Sequence, residues 1–326
     1  MDRGTCRRPA PCFPTAHRSL LMDWVCLVYM AVVGLCVVIF RHNVPGWHRD
    51  AAAHLVIVLA IVGLIHLART HPRSLGIQLS RTLYPLLCCS YGWVELDKLI
   101  PMVGGSYWAT RFLARADLLL FRVHPNLWVQ HLYTPWLDEI MSGFYLSYYF
   151  FAPVVCVVFI IRRRYEDLRA VVSLVTLSCL TTLSVFYILP ALSPRMWPGM
   201  TGWYTTDYKG YFLGWVTRAI QSKGAIRGGC FPSSHVTGAV IWTLAAWRYD
   251  RSLGRLLVPL TIGVAAATVY LRYHYAVDAL AGLLLASACY AVGVKLLRGR
   301  GEDRPDLTPT IGESGVERGW RMPRDA

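Results

Sequence analysis

Gly228-Gly229-Cys230-Phe231-Pro232-Ser233-Ser234-His235-Val236 reads as a turn that becomes a helix. Two adjacent glycines permit positive φ and a close approach of backbone to a neighbour. Pro232 suits a first helical position, and Ser233 and Ser234 are residue types that cap orphan N–H groups there. From Val236 to Trp247 the chain is apolar for the length of a helix. A helix start of this kind aims free N–H groups and the positive end of its dipole back at the loop, which suits an anion and phosphate above all. His235 stands in that first turn, where the phosphate would lie. A capped helix start with an incidental histidine has the same local pattern, so the rest of the chain must decide between the two.

The surroundings point to a membrane. Of 326 residues 55% are hydrophobic and only 16% charged. The apolar residues come in long runs rather than on periodic faces, unlike a soluble domain. A net charge of +14 would suit a nucleic-acid binder, but no basic–aromatic motif accompanies it. The basic residues gather between apolar runs, as membrane topology requires. Most of the ten cysteines lie inside those runs, where cysteine is a small hydrophobe, and no CxxC pair offers zinc-ribbon spacing. Cys230 reads as packing.

Eight runs are candidate spans: 20–40, 51–68, 82–99, 140–161, 168–189, 236–247, 256–271 and 275–297. The third, with Pro85, Glu95 and Asp97, and the short sixth are the weakest. The first is too long for a signal peptide and lacks a small-residue cleavage site, which predicts a retained span. The expected fold is an all-α polytopic integral membrane bundle. Residues 1–19 are a basic cytoplasmic tail, 20–298 a single transmembrane catalytic domain with its motifs within 190–280, and 299–326 a disordered cytoplasmic tail. With both termini inside, the inner segments hold 21 of the 33 lysines and arginines. This count brings His235 and His274 to the same extracytoplasmic or lumenal face, of a bacterial-type plasma membrane or an endomembrane. Two outer segments, 100–139 and 208–223, have amphipathic patterns; each fits either an interfacial helix or a helix packed on the roof of the bundle. There is no internal repeat.

A second constellation is Tyr270-Leu271-Arg272-Tyr273-His274-Tyr275-Ala276-Val277-Asp278. His274 and Asp278 are four apart and share a helix face. A carboxylate there can fix one imidazole nitrogen and leave the other as a nucleophile. The same pair could merely lock two helices. It could also ligate zinc if further ligands were near, and only His235 offers itself. Phosphoryl transfer also needs fixed positive charge, for which Arg195, Arg227 and Arg272 are candidates.

The segments Phe231–His235 and His274–Asp278 resemble the second and third signature motifs of the type 2 phosphatidic acid phosphatase superfamily. The HYxxD wording and Ser193-Pro194-Arg195 are closer to its inositol phosphorylceramide synthase-like branch. The resemblance covers about residues 140–297 and implies a six-helix phosphatase-like core. It implies His274 as the nucleophile of a phosphohistidine intermediate, Asp278 as its orienting group and His235 as the acid that protonates the leaving group. Ser233, Ser234 and the backbone after Pro232 would hold phosphate oxygens, and no metal or other cofactor is implied. Three positions depart from the pattern. Ser234 replaces the usual glycine, Met follows Arg195 in place of Pro, and Thr268 stands where the third motif's arginine is expected.

The expected function is therefore a lipid phosphotransferase or phosphatase of the extracytoplasmic face. It would act on a phosphate or phosphoalcohol headgroup of a membrane lipid, with a lipid hydroxyl or water as acceptor. A proton-coupled transporter or flippase using the His/Asp pair as a relay is the reading from another class, against which stands the lack of half-sequence symmetry. A lipid-linked sugar transferase using Glu95 and Asp97 is a further enzyme reading.

Overall fold

The computed structural model describes residues 17–104 and 106–303. Most of the expected basic N-terminal tail, and residues 304–326 of the expected C-terminal tail, lie outside the described residues. Ten helices carry the architecture: α1 (Leu21–Ile39), α2 (Trp47–Thr70), α3 (Leu75–Leu99), α4 (Ala109–Phe121), α5 (Pro135–Ile161), α6 (Tyr165–Ile188), α7 (Phe212–Gly224), α8 (Ser234–Tyr249), α9 (Arg251–Tyr270) and α10 (Ala276–Arg300). No strand occurs among the described residues; Ala191 and Gly229 form an isolated bridge.

All eight expected spans are helices, but only six described ones are long and apolar enough to cross a bilayer: α1, α2, α5, α6, α9 and α10. Two of the eight fall short, each for its own reason. α8 has 16 residues. α3 has the length but carries charge. Its Arg81 donates to Asp23 of α1 at 2.5 Å, and its Glu95 lies 3.3 Å from His54 of α2. Lys98 pairs with Asp50, and Asp97 accepts from the backbone of Arg227. An intramembrane charge is tolerated when paired, as Asp97 and Lys98 are here.

Sequence explains the local breaks. In α5 a 3₁₀ turn at Tyr148–Phe150 leads into Pro153, which has no N–H to return to the turn before it. Asp250 caps α9, its side chain accepting from the Leu253 N–H at 3.0 Å. The buried helix is α6, apolar nearly all round, with α1 and α3 packed on one side and α8 and α10 on the other. α5 lies against α9, and α7 lies on α5.

The two ends of the bundle differ. One end gathers cations and their clasps: Arg164 donates to the Tyr249 carbonyl at 2.7 Å, Arg248 to Asp303 at 2.5 Å, and the Leu21 N–H to Glu302 at 3.1 Å. α8 runs from His235 at the opposite end to Arg248 at this one.

The outer segments are helices packed on the bundle by one face. α4 buries Leu113, Ala114 and Asp117 and exposes Phe112 and Leu119. α7 turns its predicted apolar face outward: Phe212 and Trp215 are exposed, while Gly214 and Thr217 are buried. Glu139 of α5 holds the start of α7 by accepting from the N–H groups of Tyr211, Leu213 and Gly214.

Candidate active site

The turn before α8 is built much as its residues suggest. Gly228 has φ +95°, and a Cβ there would lie 2.8 Å from Ile100 Cγ2, so only glycine fits. Gly229 meets only ordinary contacts and has no such need. Pro232, expected at the first helical position, lies two residues before it. Ser233 is the N-cap, its Oγ accepting from the Val236 N–H at 3.3 Å. The helix then opens with Ser234 and His235.

The turn before α10 closes against it. After Tyr270 the chain reverses through Arg272 at φ +64°, and the Thr268 carbonyl accepts from both Tyr273 and His274 N–H groups. The left-handed residue of such a helix end is usually glycine. Here the Arg272 guanidinium is stacked between Tyr204 and Tyr208, 4.0 Å from each ring.

His235 and His274 come together, their ring centres 5.8 Å apart. Both rings border the same cavity. His274 Nδ1 lies 2.9 Å from the Cys230 carbonyl. A carbonyl only accepts, so Nδ1 carries the proton and Nε2 keeps its lone pair. Asp278 was expected to make that bond. Its Oδ2 is 3.6 Å from Nδ1, too long for a direct hydrogen bond. Instead its Oδ2 accepts from the Tyr275 N–H and the Cys230 thiol, both at 2.9 Å. Asp278 thus ties the two motif turns together, and its backbone carbonyl accepts from Ser233 N–H at 3.1 Å.

A cavity of about 550 Å³ opens from this point. His235, His274, Ser234, Arg195 and Gln221 line its polar end. Its other walls are Leu86 and Trp93 of α3, Val175 and Leu183 of α6, and Ile241 and Trp242 of α8. From His235 to Trp242 it follows α8 for about 10 Å at 1.5 Å per residue. A polar mouth with an apolar interior between spanning helices fits an amphiphile.

Of the expected phosphate ligands, Ser234 and Arg195 line the cavity. Arg195 arrives on a loop bridged to both turns: Ala191 N–H donates to the Gly228 carbonyl, and Arg195 N–H to the Arg272 carbonyl. Its guanidinium lies 4.6 Å from the Tyr273 ring. The other three do not line it. Ser233 is spent on the helix cap. Arg227 is exposed, with its backbone held by Asp97. Arg272 lies against Tyr204 and Tyr208 and donates through Nη1 to the Thr206 carbonyl, while its Nε and Nη2 have no hydrogen-bond partner among the described residues.

Four residues of the site were not singled out from sequence. Asn126 donates to the His274 carbonyl at 2.7 Å and to that of Val269 at 3.1 Å. Asp117 of α4 accepts from Val277 N–H at 2.8 Å and Ala276 N–H at 3.2 Å. Burial pushes the Asp117 carboxyl up to about 6, against the pull of those two N–H groups. Tyr145 and Gln221 meet His235 and Arg195. Asn126, Asp117 and Tyr145 come from elements remote in sequence from both motifs, whereas Gln221 lies seven residues before Gly228 in a helix that also carries Arg218 and Lys223.

Cys230, His274 and Asp278 also bring three ligand atoms within 4.8 Å of one another, a set that could hold a metal ion. In the structure these groups bond one another: the thiol donates to the carboxylate. Metal ligation would require that thiol to lose its proton.

A profile of the PAP2 superfamily matches residues 111–292, more than half of the chain. The chain belongs to the PAP2 superfamily. Among curated proteins, a PA-phosphatase related-family protein of Dictyostelium discoideum is 35% identical over 112 residues. That match covers 34% of this chain and 20% of the relative, far less than two thirds of its length. No solved structure matches. As a PAP2 protein with six described helices suited to crossing a bilayer, the chain is an integral membrane protein. The matched region holds both histidines and α4, while α1 to α3 precede it.

Proposed function

We propose that this PAP2 protein moves or hydrolyses the phosphate or phosphoalcohol headgroup of a membrane lipid through a phosphohistidine intermediate. The observation that carries the reading is the pair of imidazoles at the polar end of a cavity whose other walls are mostly apolar. The headgroup lies between the rings and the hydrocarbon enters between α3, α6 and α8.

His274 Nε2 attacks phosphorus. As the N–P bond forms, the P–O bond to the leaving alcohol breaks and His235 gives that oxygen its proton. The ring of His274 is then cationic, and the Asp278 carboxylate 3.6 Å from Nδ1 stabilises it. In the second half His235 takes a proton from the acceptor, whose oxygen displaces His274 from phosphorus. Arg195 and the N-terminus of α8, with Ser234, neutralise the equatorial oxygens. The chemistry is the same for water and for a lipid hydroxyl. The Ser193-Pro194-Arg195 and HYxxD segments favour transfer to a lipid alcohol, as in the inositol phosphorylceramide synthase-like branch.

The orientation follows the charge. Arg162, Arg163, Arg164, Arg248, Arg251 and Arg300 lie in the loops and helix ends away from the histidines, a bias that supports a cytoplasmic location for that end and an outer or lumenal one for the cavity's mouth. Purified protein is incubated with labelled lipid phosphates and phosphodiesters, with and without candidate alcohols. Release or transfer of label by the wild type, abolished in His274→Ala and in His235→Ala, is the expected result. Activity surviving either substitution, in protein that still inserts, refutes the assignment.

A further inference from the structure

We infer that α4 and the start of α10 form a second lipid site, a groove that takes an anionic phospholipid of the surrounding membrane. The lipid phosphate sits on Arg111 and Arg115, and one hydrocarbon chain runs along α10. The groove is separate from the histidine cavity, and its chemistry does not depend on the proposed reaction.

Phe112, Arg115, Ala116, Leu119 and Leu120 of α4 and Val277 of α10 line the groove, and none of them lines the cavity of His235 and His274. α4 is fastened at the histidine end of the bundle at two points. Its Ala109 N–H donates to the Pro190 carbonyl just beyond α6, and its Asp117 accepts from the first N–H groups of α10. The helix therefore lies at the surface of the bilayer rather than across it.

Its outer face is unsuited to water. Phe112 is 66% exposed and Leu119 71%, with Leu120 exposed beside them, a contiguous apolar patch on one short helix. The patch continues into a surface that already faces lipid. Val277, Leu280 and Leu284 recur at helical spacing on one side of the spanning helix α10, and Leu280 and Leu284 are exposed. A chain that enters the groove at Val277 can follow this stripe.

The charge selects the headgroup. Arg111 and Arg115 are both exposed and stand four apart, so two like charges share one helix face and repel. Asp117 is the single acidic residue of α4, and it is buried and spent on α10. Neither arginine has an ion-pair partner among the described residues. A phosphate between them removes the repulsion and offers the paired oxygens that guanidinium groups fit. Basic residues beside large apolar ones are also the composition of a helix that lies in the headgroup plane. An anionic phospholipid supplies both the phosphate and the chain; a zwitterionic one cancels the phosphate charge with its own cation.

Full-length protein is reconstituted in vesicles of phosphatidylcholine with phosphatidylglycerol as the anionic component. Photo-reactive benzoylphenylalanine is placed at Leu119 or, as a lipid-facing control about 10 Å further along α10 from Val277, at Leu284. The adducts formed on irradiation are identified by mass spectrometry. The ratio of phosphatidylglycerol to phosphatidylcholine in the adducts at position 119 is expected to exceed that at position 284 by about fivefold or more. Replacing both arginines, Arg111→Gln with Arg115→Gln, should bring it down to the control value. Equal ratios at the two positions overturn the site, as does an enrichment that survives loss of both arginines. An adduct with a second copy of the chain assigns the face to self-association instead, and no lipid adduct at position 119 where position 284 gives one also refutes the proposal. If the label at Leu119 prevents insertion, Phe112 carries it in the same groove. The readout is adduct composition, so it stands whether or not the protein turns over any lipid.

Discussion

His274 shows how a residue can stand beside the carboxylate its spacing predicts and yet take a different hydrogen-bond partner. The spacing to Asp278 placed a carboxylate behind the imidazole, and it is there, 3.6 Å away. The acceptor that fixes Nδ1 is a backbone carbonyl from the other motif, at Cys230. The arginines separate in the same way. Arg195 faces the cavity and Arg227 does not. Arg195→Ala is therefore expected to lower kcat/KM by about 10²- to 10³-fold, the effect of removing one oxyanion donor. Arg227→Ala should leave it nearly unchanged. Steady-state assays of both variants on one lipid phosphate check this, and an equal loss in both would contradict the placement. His235, His274 and Asp278 were legible because motif chemistry is local in the chain. Asn126 and Asp117 were not, since their partners lie 148 and 160 residues further on.

At the scale of elements, the turns are held from outside by segments that the pattern showed only as amphipathic. α4 presents Asp117 to the first N–H groups of α10, where a carboxylate also meets the positive end of the helix dipole. The carboxyl nevertheless ionises only near pH 6 because it is buried, above its free value of 3.8. A raised acid pKa means that the fold favours the protonated form. The contribution of Asp117 is therefore greatest below about pH 4 and declines as pH rises through about 6. Relative to Asp117→Asn, wild type should lose on the order of 1 to 3 kcal/mol across that window. Thermal unfolding of the two proteins in detergent between pH 4 and 7 measures it. A constant difference would show that Asp117 does not titrate there. α7 gives the complementary lesson. Its apolar stripe was visible, but the direction of that stripe was set by Glu139, which captures the helix start, and by the small residues Gly214 and Thr217 that allow close packing.

At the scale of the whole molecule, the cavity joins a charged mouth to an apolar interior that runs between α3, α6 and α8. The histidine chemistry needs no metal, whereas the Cys230, His274 and Asp278 cluster could bind one. Activity is expected to survive prolonged chelation and to be blocked by vanadate, a phosphate analogue. Loss on chelation with recovery on adding zinc would assign the cluster to a metal and remove His274 as the nucleophile. Assay of dialysed protein with and without chelator, together with metal analysis of the same sample, separates the outcomes.

By itself, the sequence determined that the chain is a helical membrane protein, because runs of apolar residues have no other solvent. It also determined that two histidine-bearing helix ends lie at one end of the bundle, because an even number of crossings separates nothing. All eight runs that it marked as spans are helical, but two of them proved too short or too charged to qualify as spans. Only the tertiary structure decided which nitrogen of each imidazole is bonded, which arginine faces the cavity and which outer helix clamps which turn. Those outcomes rest on hydrogen bonds between groups more than forty residues apart, and donor and acceptor directions across such distances are set by packing, which no local pattern encodes.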